Sequence, residues 1–342
     1  MRPVLVTGGA GFIGCNLADR LATEGHDVLV FDSLARPGVA ANLDWLRRRH
    51  PRRVSASVAD VRDVDAVGAA AREASAVFHL AGQTAVTTSL LDPVEDFDVN
   101  LRGTLNILEA LRRRPAPLIF ASTNKVYGDL ADVTLELSGD EWGPADRTLR
   151  VGGIDETRPV SFHTPYGCSK GAADQYVLDW SRSYGVPTAV LRMSCIYGPH
   201  QRGTEDQGWV AHFLLRAMAG EPITVFGDGR QVRDVLYVDD AVAAYVAAWR
   251  RIGAVSGRAF NLGGGPANAV SLQRLLNHLG MLLRREVDVR FEASRPGDQR
   301  WFVANMSAAR SALDLATPVG WQGGLARLHD WVRVEALAEY AA

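Results

Sequence analysis

Lysine is almost missing from this chain. Among its 37 Lys and Arg residues, the lysines are Lys125 and Lys170 alone. Arginine serves as well as lysine on most solvated surfaces, so the composition indicates an arginine-favouring bias. A lysine retained against that bias indicates a need for ammonium chemistry, which arginine does not supply. Both lysines are therefore candidates for a functional site.

Long apolar runs, paired cysteines and a strong net charge are lacking as well. No apolar run approaches the roughly eighteen residues of a membrane-spanning helix, and a net charge of −2 gives no reason to expect a nucleic-acid or membrane partner. Cys15, Cys168 and Cys195 form an odd set without metal-ligand spacing, which predicts reduced thiols and no metal site. The first residues lead into a strand rather than a signal peptide, so we expect a cytoplasmic enzyme.

A glycine-rich turn follows the first predicted strand. Residues 4–7 are apolar, residues 8–14 read Gly-Gly-Ala-Gly-Phe-Ile-Gly, and a helical pattern comes next. This order of strand, glycine turn and helix is typical of a dinucleotide site. Gly8 permits the tight turn, Gly11 lets the backbone approach a pyrophosphate, and Gly14 allows close packing of the helix. Phe12 and Ile13, at the start of the helix, complete this set of predicted cofactor contacts.

An acidic residue follows the second predicted strand, residues 28–31. Asp32 stands eighteen residues after Gly14, where a carboxylate binds the adenosine ribose hydroxyls and repels a 2′-phosphate. The sequence therefore predicts NAD rather than NADP.

Further strands are predicted at 54–58, 76–80, 118–122 and 188–192, with helical stretches between them. This alternation is typical of an α/β fold with a Rossmann-type, doubly wound parallel sheet. The length of 342 residues and the 47% hydrophobic content suit two domains. We expect an NAD-binding domain at 1–195, to which 235–265 return, and a smaller, interleaved substrate domain at 196–342.

The ends of the third and fourth strands add cofactor candidates. Asp60 and Val61 follow the third strand, where a side chain reaches the adenine, and Leu80, Ala81 and Gly82 follow the fourth, where small residues let the backbone pass close to the cofactor. Ordinary turn chemistry is the alternative for both. Asn100 precedes the helix predicted at 104–111 and is either a cofactor contact or the helix cap.

Lys170 ends a Tyr-x-x-x-Lys motif that begins at Tyr166. On a helix this spacing places both side chains one turn apart on the same face. Tyrosine titrates near pH 10, so a base near neutrality needs a shift of roughly three units, or about 4 kcal/mol. A neighbouring ammonium has the sign that favours the phenolate. The alternative is an exposed pair on a surface helix.

Two segments of the C-terminal part combine arginine with aspartate and turn residues. They are 227–234, with Arg233, and 295–299, with Arg295. Guanidinium groups suit diphosphate oxygens, and surface salt bridges are the alternative.

Together with residues 79–82 and 122–128, these motifs resemble an extended short-chain dehydrogenase/reductase that acts on nucleotide sugars, over essentially the whole chain. The resemblance implies that Tyr166 is the catalytic base, that Lys170 binds the nicotinamide ribose and lowers the Tyr166 pKa, and that Thr123 hydrogen-bonds the reacting hydroxyl. It implies tightly bound NAD and a homodimer formed through the helix that carries Tyr176, Val177 and Trp180.

Asn124 and Lys125 narrow the range of reactions expected for this chain. Sugar dehydratases of this family carry Asp-Glu there, and without a carboxylate pair elimination lacks its acid and base. The sequence therefore favours an isomerase, an epimerase that oxidises the sugar transiently with bound NAD. Lys125 is interpreted as a sugar ligand, as a group that orients Thr123, or as a plain surface lysine.

Residues 82–89, 122–125, 163–176 and 206–210 are similar to the CDP-tyvelose (CDP-paratose) 2-epimerases. This similarity implies inversion at C2 of a CDP-hexose. The alternatives are a UDP- or other NDP-hexose 4-epimerase, an NDP-sugar dehydrogenase or reductase, and a non-catalytic NAD-binding regulatory protein. The residues expected to bind the nucleotide diphosphate sugar are Gln83, Thr88, Asn124, Lys125, Cys195, Gln207, Arg233, Arg295 and Asp298.

Overall fold

A computed structural model of the chain describes residues 2–295 and 297–336. Pro296, in the second arginine segment, and the outermost residues of the two predicted domains lie outside the described residues. The described residues form fifteen β-strands and fourteen α-helices.

The strands, in chain order, are β1 Val4–Thr7, β2 Val28–Asp32, β3 Val54–Val58, β4 Ala76–His79, β5 Leu118–Thr123, β6 Leu135–Ser138, β7 Glu141–Pro144, β8 Thr188–Met193, β9 Cys195–Tyr197, β10 Ile223–Phe226, β11 Val232–Tyr237, β12 Arg258–Leu262, β13 Ala269–Ser271, β14 Val289–Glu292 and β15 Trp301–Phe302.

The helices are α1 Phe12–Thr23, α2 Val39–Arg49, α3 Val64–Glu73, α4 Val86–Leu91, α5 Pro93–Phe97, α6 Gly103–Arg113, α7 Arg147–Gly152, α8 Thr164–Tyr184, α9 Trp209–Ala219, α10 Val238–Arg250, α11 Ile252–Val255, α12 Leu272–Leu283, α13 Ser307–Leu313 and α14 Trp321–Trp331. A π-helical turn, Asp98–Arg102, joins α5 to α6.

Seven strands form the main sheet in the order β12-β8-β5-β4-β1-β2-β3, and each neighbouring pair is parallel. Helices α1, α2 and α10 pack on one face, and α3, α6 and α8 pack on the other. Since both faces are covered, the central strands are mostly apolar, and every residue of β5 is buried. The predicted Rossmann-type fold is confirmed.

Smaller sheets follow β8. Strand β10 pairs with β14, and β11 pairs with β9, β13 and β15. Helices α9, α12 and α14 contribute to a separate hydrophobic cluster over these strands. The division into domains at residue 195 stays a prediction.

Membrane spans and metal clusters are both missing from the described residues. No helix in that part of the chain is long and apolar enough to cross a membrane. The same residues contain no group of three or more His, Cys, Asp or Glu side chains that could hold a metal ion.

A buried ion pair fastens α8 to the sheet. The Asp174 carboxylate on α8 accepts hydrogen bonds from Arg192 on β8 through Nε and Nη2, both at 3.0 Å. Its third donor is Ser122 Oγ on β5, at 2.7 Å. The side chains of Arg192 and Asp174 are 6% and 0% exposed, so each charge depends on the other for compensation.

We expect Asp174→Asn to lower the free energy of unfolding by about 3 kcal/mol, because it leaves the Arg192 guanidinium buried without its counter-charge. Asp179→Asn on the same helix is the control, since the Asp179–Arg182 pair lies at the surface and contributes little. Urea denaturation followed by circular dichroism measures both. Similar losses in the two variants would contradict this role for the buried pair.

Candidate active site

One cleft of about 1020 Å³ runs from the carboxyl ends of the main-sheet strands to β10 and β11. It brings together nearly all of the residues that the sequence predicted for the site. The predicted residues that line it are Gly8, Gly11, Phe12, Ile13, Gly14, Asp32, Asp60, Val61, Leu80, Ala81, Gly82, Gln83, Thr88, Thr123, Asn124, Lys125, Tyr166, Lys170, Cys195, Gln207, Arg233, Arg295 and Asp298. Asn100 lies behind the wall of the cleft.

The glycine turn leaves no room for side chains. Gly8 has φ +66°, and a Cβ there would lie 2.6 Å from Ala81 N. A Cβ on Gly14 would lie 2.1 Å from Gly8 O, so α1 packs directly on the turn. The start of α1 is thus open to an anion, as binding of a pyrophosphate requires.

Asp32 stands at the end of β2, beside this turn. Its Oδ2 accepts a hydrogen bond from Ala10 N at 3.0 Å, and its Oδ1 accepts one from Leu34 N at 2.9 Å. These bonds hold the carboxylate in place, and each oxygen keeps a lone pair for a ribose hydroxyl. The glycine turn and Asp32 therefore fit NAD.

Asp60 makes the contacts of a turn residue, as the alternative interpretation stated. Arg62 donates its backbone N to Asp60 Oδ1 at 2.8 Å and its Nη2 to Oδ2 at 2.8 Å. The hydrogen bond from the Arg62 side chain lowers the pKa of Asp60. Since Asp60 also lines the cleft, its contact with the cofactor stays a prediction.

Asn100 belongs to a buried network and is not a helix cap. It lies within the π-helical turn, because the helical segment begins at Pro93, before the predicted start at 104. Asn100 Nδ2 donates to Asp96 Oδ1 and Ser169 Oγ, both at 3.1 Å. Its Oδ1 has no partner among the described residues and lies 2.8 Å from the point where a Gly82 Cβ would be. This unpaired acceptor beside the cleft also fits a bound cofactor.

Asp96 is the centre of this network, and the sequence analysis missed it. The carboxylate is 0% exposed and accepts hydrogen bonds from Ser169 Oγ at 2.5 Å and Gln83 Nε2 at 3.1 Å, besides the bond from Asn100. Asp96 and Asn100 are four residues apart, a spacing that places both on one helical face. That spacing could have identified Asp96, but the sequence analysis did not predict a helix over these residues.

Thr123, Tyr166 and Lys170 meet at the cleft. Thr123 ends β5, and the other two occupy the first turns of α8, as the motif predicted. The hydroxyl of Thr123 acts on that of Tyr166 and lowers the Tyr166 pKa. Lys170 Nζ lies 4.3 Å from the centroid of the Phe120 ring, within cation–π distance. Tyr166 and Lys170 are 8% and 6% exposed, so the surface-helix alternative is wrong.

Burial dominates the ionisation of both groups. It raises the pKa of Tyr166 to about 12, while the Thr123 hydrogen bond lowers that pKa and the Asp96 charge raises it. Burial also lowers the pKa of Lys170 to about 8, against the charges of Asp174 and Asp96. The groups of the protein alone therefore do not lower the Tyr166 pKa as the resemblance implied, because loss of solvation outweighs the hydrogen bond.

Lys125 extends into the cleft rather than into solvent, so the surface-lysine alternative is wrong. Its Nζ donates to Gly297 O at 3.0 Å, and its backbone N donates to Thr123 Oγ1 at 3.2 Å. Burial lowers the pKa of Lys125 to about 8, and the charge of Arg233 acts in the same direction. Asn124 Nδ2 donates to Gln299 Oε1 at 3.2 Å. The turn after β5 is thus bonded to residues 297–299, which are distant in the chain.

Arg233 and Arg295 also line the cleft, and Arg233 is near enough to Lys125 for its charge to lower the Lys125 pKa. Arg233 is 7% exposed and donates to Asp298 Oδ1 at 2.6 Å, so it does not form a surface salt bridge. Arg295 pairs with Asp206 at 3.1 Å, and its guanidinium carbon lies 3.6 Å from the centroid of the Phe226 ring. Two cations on one wall suit a diphosphate.

The remaining substrate candidates are less revealing. Cys195 Sγ accepts a hydrogen bond from Trp209 Nε1 at 3.4 Å. Gln207 pairs through its backbone with Thr204, and Thr88 lies in α4. All the individual substrate contacts stay predictions.

The fold and the cleft define an enzyme of the Rossmann type with a dinucleotide site and a buried Thr–Tyr–Lys set beside it. Residues 4–263 match the model of the NAD dependent epimerase/dehydratase family. The chain belongs to this family, which confirms the resemblance, the enzyme class and the prediction of NAD as the cofactor.

Relatives and solved structures agree with this assignment. A CDP-paratose 2-epimerase of Salmonella typhi is 40% identical over 96% of this chain and 98% of its own. A UDP-glucose 4-epimerase of Mycolicibacterium smegmatis is 32% identical over 96% of this chain and 98% of its own. The crystal structure of a Thermus thermophilus UDP-glucose 4-epimerase, in complex with NAD, superposes with a TM-score of 0.81 at 32% identity, covering 98% of this chain and 100% of that one.

Asp96 is expected to set the pH range of activity through Lys170. Its carboxylate favours the ammonium form, so Asp96→Asn should lower the Lys170 pKa further below 10.5 than the value of about 8 in the native site. Activity that needs the ammonium form of Lys170 is then lost at a lower pH than in the wild-type enzyme. The alkaline limb of the kcat/KM profile should move to lower pH.

Glu95→Gln is the matched control, because Glu95 is exposed and pairs with Arg62. His79, beside Lys170, does not titrate within the alkaline limb, since burial lowers the pKa of His79 to about 3. An unmoved alkaline limb in Asp96→Asn would refute the electrostatic role of Asp96.

Proposed function

We propose that the chain is a cytoplasmic nucleotide-sugar epimerase that inverts C2 of a CDP-hexose. The observation that carries this proposal is the meeting of Thr123, Tyr166 and Lys170 at the cleft beside Asn124 and Lys125. An amide and an ammonium next to Thr123 suit oxidation and reduction rather than elimination, which needs a carboxylate pair. The CDP-paratose 2-epimerase at 40% identity supports the choice of C2 and of CDP.

Tyr166 is the proposed acid–base group. As phenolate it accepts the proton of the C2 hydroxyl during oxidation, and it returns the proton during reduction. Thr123, whose hydroxyl lowers the Tyr166 pKa, is proposed to hydrogen-bond the same sugar hydroxyl. A bound NAD would supply a positively charged ring that favours the phenolate and a reversible acceptor for the hydride of C2. The reaction is therefore redox-neutral over one turnover.

Inversion requires the planar keto-sugar to present its other face before reduction. Arg233 and Arg295, which line the cleft, are proposed to hold the diphosphate while the sugar turns. Lys125 is proposed to hydrogen-bond the sugar, since its Nζ reaches into the cleft beside Thr123. Release of the keto-sugar before reduction would end the reaction without a product. The diphosphate contacts are therefore proposed to keep the keto-sugar bound until it is reduced.

A 4-epimerase is the second candidate, because the named UDP-glucose 4-epimerases also match the whole chain. The same proton and hydride transfers at C4 would need only a different orientation of the sugar in the cleft. A non-catalytic NAD-binding protein has no use for a buried tyrosine that lines the cleft together with a threonine and a lysine.

The experiment is incubation of the enzyme, without added NAD, with CDP-, UDP-, GDP- and dTDP-hexoses in deuterated buffer under proton NMR. We expect inversion at C2 of a CDP-hexose without deuterium at C2, because the hydrogen removed from C2 returns to it. Inversion at C4, or net reduction of the cofactor, would discard the 2-epimerase.

Tyr166→Phe should abolish turnover and leave NAD bound, since only the acid–base hydroxyl is lost. Tyr176→Phe is the control, because Tyr176 lies on the same helix and is 45% exposed. Substantial turnover by Tyr166→Phe would refute the role of Tyr166.

We also propose a homodimer, on the basis of an exposed apolar patch on the consecutive helices α4 and α5. The patch consists of Leu91, Val94 and Phe97, which are 87%, 68% and 45% exposed. Two of the residues expected on this surface are elsewhere. Val177 and Trp180 are buried in the core, and Trp180 Nε1 donates to Leu108 O at 3.0 Å, because they lie on the side of α8 that faces the sheet.

Val94→Arg should convert the dimer into a monomer, because it places a charge in the apolar contact. Analytical ultracentrifugation measures the mass. Met281→Arg is the control, since Met281 is 70% exposed on α12, outside the patch. A wild-type mass of one chain would refute the dimer.

A further inference from the structure

Lys125 connects two parts of the cleft that are far apart in the chain. At one end its backbone N donates to Thr123 Oγ1 at 3.2 Å. At the other end its Nζ donates to Gly297 O at 3.0 Å, and the neighbouring Asp298 accepts a hydrogen bond from Arg233 Nη2 at 2.6 Å. Lys125 therefore links the turn that carries Thr123 to the part of the cleft that carries Arg233.

The Lys125 ammonium has no counter-ion of its own. The nearby Asp298 carboxylate pairs with Arg233, and no ion pair among the described residues includes Lys125. Burial, followed by the charge of Arg233, lowers the pKa of Lys125 to about 8, against the charge of Asp298. This direction is the one expected for a cation that lacks an anion. A bound anion would supply the missing charge.

A purely structural role does not account for the ammonium. An ammonium has three N–H donors, and the hydrogen bond described for Nζ goes to a neutral carbonyl. A neutral side chain with one donor could make that bond without the cost of burying a charge. The remaining donors and the charge are available to a ligand in the cleft, which Lys125 lines.

The position of the diphosphate determines which carbon of the sugar can react. A nucleotide sugar carries its diphosphate at C1. C2 is bonded directly to C1, whereas C4 lies across the ring. A 2-epimerase therefore has to hold the diphosphate closer to its acid–base group than a 4-epimerase does. A cation in the turn that Thr123 caps suits this shorter distance.

We infer that Lys125 binds the phosphate attached to C1 and thereby brings C2, rather than C4, to Tyr166. Lys125 is then the residue that determines which carbon is inverted, and Arg233 and Arg295 bind the rest of the diphosphate. The inference rests on the proposed 2-epimerase activity and assigns the contact between Lys125 and the sugar to its C1 end.

The first test is the binding of CDP and of CMP to the holoenzyme, measured by isothermal titration calorimetry. CDP carries the second phosphate that Lys125 is inferred to bind, and CMP lacks it. Lys125→Met should weaken CDP binding at least about tenfold, the loss expected for a charge-assisted contact, and leave CMP binding unchanged. Lys125→Gln should weaken CDP binding as much, because it offers Gly297 a donor without the charge. Lys125→Arg keeps the charge and should lose less.

Arg290→Met is the matched control, because it removes a positive charge from β14, where the Arg290 side chain is 68% exposed. It should bind both nucleotides like the wild type. Equal losses of CDP and CMP affinity in Lys125→Met would overturn the phosphate contact. Wild-type CDP affinity in Lys125→Gln would also overturn it and reduce Lys125 to a tether for Gly297.

The second test is the origin of the hydride. CDP-hexoses deuterated at C2 or at C4 are incubated with the holoenzyme, and deuterium in the reduced cofactor is measured by mass spectrometry after a rapid quench. The wild type should take its hydride from C2. In Lys125→Met the share taken from C4 should rise, because the diphosphate is no longer held close to Tyr166. Transfer from C2 alone, or from neither carbon, in this variant would overturn the role of Lys125 in choosing the carbon.

These outcomes are distinguishable from failure of the proposed function. A wild-type enzyme that binds UDP rather than CDP, or that takes its hydride from C4, would contradict the proposed 2-epimerase itself. The differences between the wild type and the Lys125 variants test only the role of Lys125.

Discussion

The buried Asp174–Arg192 pair is the interaction on which the site depends most. It joins α8 to β8, and through Ser122 it also joins α8 to β5. Thr123 ends β5, and Tyr166 and Lys170 lie in the first turns of α8, so this attachment sets the distance between Thr123 and Tyr166. A shift of about 1 Å between such elements is enough to misplace reacting groups. The cost of burying two charges is offset here because every strong acceptor direction of the carboxylate is used.

A second buried carboxylate, Asp96, affects the ionisation of Lys170 and Tyr166 rather than the attachment of α8 to the sheet. Lys170 and Tyr166 are both desolvated, which disfavours the ammonium and the phenolate alike. Asp96 and Asp174 restore part of the ammonium form of Lys170, while Asp96 raises the Tyr166 pKa. The protein groups therefore favour the neutral phenol of Tyr166, and the positive charge of a bound nicotinamide would favour the phenolate instead.

The predictions from sequence succeeded where a short stretch of sequence is compatible with one local structure. The glycine turn, the strands near it and the Tyr-x-x-x-Lys helix are local in this sense, and the scarcity of lysine identified two side chains that both enter the cleft. They failed where a helix begins without a regular pattern. The π-helical turn at 98–102 hid the continuity of α5 and α6, so a helix cap stood beside a cofactor contact as an interpretation of Asn100, and Asp96 received no prediction from the sequence.

By itself, the sequence determined the alternation of strands and helices up to β8, the glycine cradle, the choice of NAD and the Tyr-x-x-x-Lys helix, because short-range sterics and spacing specify them. Thr123 was indicated by the resemblance to a family. Only the tertiary structure decided which distant groups meet: Asp174 with Arg192, Asp96 with Ser169, and Lys125 with the carbonyl of Gly297. Spacing along the chain carries no information about these contacts, since they form between loops and strand ends that the parallel sheet brings to one edge.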